Sequence, residues 1–125
     1  MGLDMYAWSI PATKQEDFET GEMPISEDHE LHYWRKHPSL HGWMHKLYCK
    51  KVKEIPAGEF NGVQVLLEKE DIIELVFDII GEQLPHTEGF FFGSDYDNKE
   101  DDLKFCKKAY DAIRADECVY YDSWW

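Results

Sequence analysis

Residues 31–51 read LHYWRKHPSLHGWMHKLYCKK, and in this stretch the hydrophobic period changes from two to nearly four. LHYW is short and rich in aromatic residues, as a strand is. Pro38 then fits the first position of a helix, where its fixed φ is suitable and its missing N–H is not needed. Leu40, Trp43, Met44, Leu47 and Tyr48 follow at helical spacing and share one broad face. Pro56 and Gly58 bound that helix on its C-terminal side.

Working outward, GLDMYAW alternates, with Leu3, Met5 and Ala7 on one side, and predicts a strand. Residues 11–30 are polar and acidic, carry Pro11, Gly21 and Pro24, and predict a long acidic loop. GVQVLLE predicts another strand. EKEDIIELVFDIIGEQL predicts an amphipathic helix with acids in its first turn, an apolar face of Ile72, Leu75, Val76, Ile79 and Ile80, and Gly81 as terminator. GFFFG reads as a short strand. Asn98 reads as the N-cap of a last helix running to about Ala115, with Leu103, Cys106, Tyr110 and Ile113 inward. ECVYYDSWW closes as a strand whose terminal tryptophans imply docking rather than fraying. The reading is one α+β domain over residues 1–125. It has a mainly antiparallel sheet of about four strands with about three helices packed on it, and a parallel βαβ arrangement is the alternative.

The same stretch carries an unusual charge. From His29 to Lys53 there are six lysines and arginines and one glutamate. This gives +5, and leaves −18 for the rest of a chain whose net charge is −13. Five of the six histidines lie here as well. Such acidity opposes direct nucleic-acid binding and anionic membranes, and favours basic partners. The start has no basic, apolar leader and no membrane-length run. Three cysteines without a Cys-x-x-Cys argue for a reducing compartment, and the expected setting is cytoplasmic.

Three readings of the cluster stand side by side. In the first, Arg35, Lys36 and His37 precede the positive end of the helix and bind an anion. His41 and Trp43 would lie nearby, and Ser94 and Trp124 would close the site. In the second, His37, His41 and His45 recur every four residues, so neighbours lie ~6 Å apart along the axis and two can share zinc or another divalent metal. Cys49 continues the series, but its ends are ~18 Å apart, too far for a single ion. In the third, the histidines hydrogen-bond at the edge of the apolar face and the lysines are a solvated surface. No cofactor motif is present. Asp95 and Asp97 begin a calcium-loop spacing that Lys99 and Glu100 break. Ser94, His86 and Asp95 could form a hydrolytic set but lack the strand–turn–helix context of a nucleophile.

MGLDMYA, HYWRKHPSLHGWM, LPHTEGFFFGSDYD and YYDSWW together resemble a family of short uncharacterised proteins of bacteriophages, prophages and bacteria. The resemblance spans both ends and the middle of the chain. It implies a phage-type accessory protein in a bacterial host cytoplasm. Members are sometimes labelled phosphoglycerate kinase. A chain of 125 residues is too short for a two-domain kinase and has no nucleotide-binding segment, so that activity is not taken over. The leading functional expectation is a non-enzymatic binding domain for an anionic or phosphorylated ligand or a protein partner. The alternatives are an acidic inhibitor or decoy of a host nucleic-acid-binding protein, and a metal-dependent hydrolase.

Overall fold

The computed structural model describes residues 3–22, 27–35, 37–84 and 99–125. Strand β1 (Asp4–Pro11) leads through a 3-10 turn into the single-turn helix α1 (Gln15–Glu19). Then come β2 (Glu30–Arg35), α2 (Pro38–Lys51), β3 (Val65–Leu67), α3 (Lys69–Ile80), α4 (Lys99–Arg114) and β4 (Glu117–Trp124). The strands form one sheet in the order β2-β1-β4-β3, and every neighbouring pair is antiparallel. This is the α+β class read from the sequence; the parallel alternative does not occur among the described residues.

Alternation along the strands sorts their side chains. Leu3, Met5 and Ala7 bury on one face with Trp34, Val119 and Tyr121, and α2, α3 and α4 cover that face. Tyr6 and Trp8 point the other way. β1 and β4 are paired from Asp4↔Trp124 to Pro11↔Glu117, so the first and last strands are central neighbours. α3 starts with a capping box between Glu68 and Asp71, which satisfies two of the free N–H groups of its first turn. Lys51, at the end of α2, reaches both carboxylates, at 3.0 and 2.6 Å, and ties the two helices together.

Several local expectations change. The stretch 11–30 holds α1, because Phe18 is buried against Ile10 and Tyr120 on the outer side of the sheet. In α3, Ile72, Leu75 and Ile79 are buried but Ile80 is exposed. In α4 the fully buried face is Asp102, Phe105, Cys106, Ala109 and Ala112, while Leu103, Tyr110 and Ile113 are only partly buried. The two alanines leave room for a close approach to the sheet, and Asp102 is drawn inward by hydrogen bonds. Trp125 docks as expected, through two hydrogen bonds with Asn61 at 3.2 Å, whereas Trp124 is exposed. The GFFFG strand and the Asn98 cap lie outside the described residues.

Candidate functional site

Four of the clustered histidines are engaged in holding elements together. His32 on β2 is buried; its Nε2 lies 2.9 Å from Asp101 Oδ2 on α4, and its Nδ1 3.5 Å from Lys108 Nζ. His37, the N-cap residue of α2, places Nε2 2.7 Å from Asp102 Oδ2. The other oxygen of that carboxylate accepts from Trp34 Nε1 at 3.0 Å. Both His37 and Asp102 are buried, so β2, α2 and α4 meet at a desolvated His–Asp–Trp network. His37 Nδ1 has no hydrogen-bond partner. His41 Nδ1 lies 2.6 Å from Tyr121 Oη on β4. Burial, and then the nearby His45, push His41 down to about 3. Burial also raises Tyr121 well above its ordinary value. The pair is therefore neutral. His45 Nε2 donates to the Ile55 carbonyl at 2.7 Å, and Cys49 Sγ lies 3.4 Å from that nitrogen.

His37, His41 and His45 thus face α4, β4 and the 55–60 loop in turn and do not converge. Among the described residues no group of three His, Cys, Asp or Glu side chains could hold a metal ion.

The other residues singled out in the sequence are dispersed. Arg35 is exposed at the end of β2, across from Asp4, and Trp124 faces Asp4 from β4; these two are brought to one row of the outer sheet face. His37 and His41 lie inside the molecule. Trp43 turns toward α3, where its Nε1 donates to Asp78 Oδ2 at 2.8 Å. Lys36 and Ser94, with the set of Ser94, His86 and Asp95, lie outside the described residues.

Two features did not emerge from the sequence. One is a cleft of about 250 Å³ between α2 and α3, lined by Trp43, Lys46, Leu47 and Lys50 on one side and Glu74, Asp78 and Gln83 on the other. Lys46 and Lys50 stand one turn apart, and neither makes an ion pair among the described residues, in contrast to Lys51. The spacing Trp43, Lys46, Leu47, Lys50 was the available signal. The other is an aromatic strip on the outer sheet face. Tyr6 stacks on Trp8 with centroids 5.3 Å apart and planes 14° from parallel, and Tyr33 packs at 5.3 Å from Tyr6. Tyr33 Oη donates to Asp4 Oδ1 at 2.6 Å, a bond that with burial pushes the phenol up to about 12. Trp8 Nε1 is buried without a partner.

No described helix is long and apolar enough to cross a membrane. Comparison with protein-family profiles, curated proteins and solved structures returns no match for the chain.

Proposed function

We propose that the chain is a non-enzymatic binding domain for an anionic, phosphorylated ligand, held in the cleft between α2 and α3. The observation that carries this reading is the pair Lys46 and Lys50. They are two ammonium groups one turn apart, without carboxylate partners among the described residues, in a chain of net charge −13. A phosphate can accept from both, and such charge-assisted bonds are the strong ones. Glu74 on the facing wall is an acceptor, and Asp78 already takes the Trp43 indole. An acceptor-lined wall favours a ligand that adds hydroxyl or amino donors to its phosphate, as a sugar phosphate or nucleotide does, over inorganic phosphate. Binding is favoured over catalysis because His32, His37, His41 and His45, the natural acid–base groups of the segment, are engaged in holding the fold. The resemblance to phage-type proteins supports a role as an accessory protein in a bacterial host cytoplasm.

Arg35 and the start of α2 form the competing location for the same ligand class. The test is the melting temperature with inorganic phosphate, glucose 6-phosphate and AMP, for the wild type, Lys46→Ala/Lys50→Ala and Arg35→Ala. A ligand at a hundred times its Kd stabilises by about 2.7 kcal/mol. The reading expects this for an organic phosphate, loss in the double lysine variant and retention in Arg35→Ala. The reverse pattern moves the site to the start of α2. No stabilisation by any of the three defeats the reading.

A further inference from the structure

We infer that the outer face of the sheet docks a second kind of ligand, a basic segment of another protein that lies extended across it and carries alternating arginine side chains. This surface is on the opposite side of the sheet from α2 and α3 and is independent of the anion cleft. The register gives it three rows: Arg35, Asp4 and Trp124; Tyr33, Tyr6 and Asp122; and Glu30, Trp8 and Tyr120. Phe18 of α1 covers the third row at Tyr120. In the first two rows Tyr33 is 43 % and Trp124 65 % exposed. Across the face, aromatic rings thus stand among the carboxylates of Asp4, Glu30 and Asp122.

That mixture selects a cation. A guanidinium can lie on a ring and pair with a neighbouring carboxylate at once, and it loses less hydration than an ammonium in doing so. Arg35, opposite Asp4 in the register, already stands at the rim of this face, near enough for its charge to act on the Tyr33 phenol. The carboxylates act within this face: Tyr6 is raised first by burial and then by Asp4, Glu30 and Asp122. Nucleic acid would also stack on rings, but three carboxylates repel its backbone. A second copy of the chain brings another −13 to the contact. Rows along a strand repeat every ~7 Å, the spacing of alternate side chains in an extended peptide. A segment with arginine at every second position therefore matches the rows.

The experiment is fluorescence anisotropy at physiological salt with a labelled peptide of four arginines alternating with serines. Tyr33→Ala/Trp124→Ala leaves the charge unchanged and removes exposed rings; it should weaken binding about tenfold. Asp4→Asn/Asp122→Asn should do the same. Glu70→Gln/Asp111→Asn removes equal charge from exposed positions on the helical layer and should stay within twofold of wild type, as should Lys46→Ala/Lys50→Ala. Melting curves confirm that each variant is folded. Unchanged binding by the aromatic variant overturns the proposal. So does equal weakening by the two carboxylate variants, which would assign the binding to the field of the whole chain. Equal affinity for single-stranded oligothymidine overturns the choice of ligand.

Discussion

His41 makes a sharp prediction about acid stability. The ring is 3 % exposed and is held down to about 3 in the folded protein, first by burial and then by His45. In the unfolded chain it titrates near its ordinary value of about 6.5. The unfolded state therefore takes up the proton first. The stabilisation is complete above pH ~6.5 and is lost as the pH falls toward ~3, at up to about 1.4 kcal/mol per pH unit. At pH 5 the loss is about 2 kcal/mol, a large share of the stability of a small domain. Urea unfolding of the wild type and His41→Gln at pH 7.5, 6.5, 5.5 and 5.0 isolates this contribution. Asp122 and the other carboxylates titrate in both proteins and cancel in the difference. The wild type should lose about 2 kcal/mol more than the variant between pH 7.5 and 5.0. Parallel loss in the two proteins would show that the His41–Tyr121 pair is not a buried neutral pair.

Other parts of the structure make further predictions. Asp102→Ala leaves His37 Nε2 and Trp34 Nε1 buried without their acceptor and should lower unfolding stability by about 3–5 kcal/mol. Asp101→Ala, whose carboxylate is half exposed beside His32, should cost at most ~1 kcal/mol in the same denaturation assay. Burial, with Asp102 adding to it, pushes the Cys106 thiol up to about 12. Ellman's reagent should therefore modify Cys106 last of the three free thiols, and only as the protein unfolds. Glu82 sits just after α3 at φ +55. Glu82→Gly should raise the denaturation midpoint by the equivalent of about 0.5–1 kcal/mol.

The strand-to-helix switch at Pro38 and the alternation in β1 were legible because burial follows the period of each element, and these two periods are clear in the sequence. Helix α1 was not legible. Five residues give no period; the helix is held by Phe18 against Ile10 and Tyr120 and by hydrogen bonds of Gln15 and Glu19 with the Tyr120 hydroxyl. On α4, helical spacing points to Cys106, which is buried, and to Leu103, Tyr110 and Ile113, which pack partly buried against the core; the buried Ala109 and Ala112 are too small, and the partnered Asp102 too polar, to stand out in a hydrophobic pattern. The histidine cluster was visible as a cluster, but its partners on α4, β4 and the 55–60 loop lie 10 to 80 residues away in the chain. Sequence spacing allowed convergence on one ligand as well as separate hydrogen bonds to neighbours; the tertiary contacts send each ring to a different neighbour. The cleft of Lys46 and Lys50 needed α3 in place before it existed, and the outer aromatic strip needed the register of three strands.

The most direct test of the anion-binding account is a titration of the uniformly ¹⁵N-labelled protein with glucose 6-phosphate, followed by amide chemical shifts. The account predicts saturable shifts centred on Trp43, Lys46 and Lys50 of α2 and on Glu74 and Asp78 of α3. Tyr6 and Tyr33 should remain still, and Lys46→Ala/Lys50→Ala should abolish the response. Shifts centred on Arg35 and His37 instead, or none at all, would contradict it.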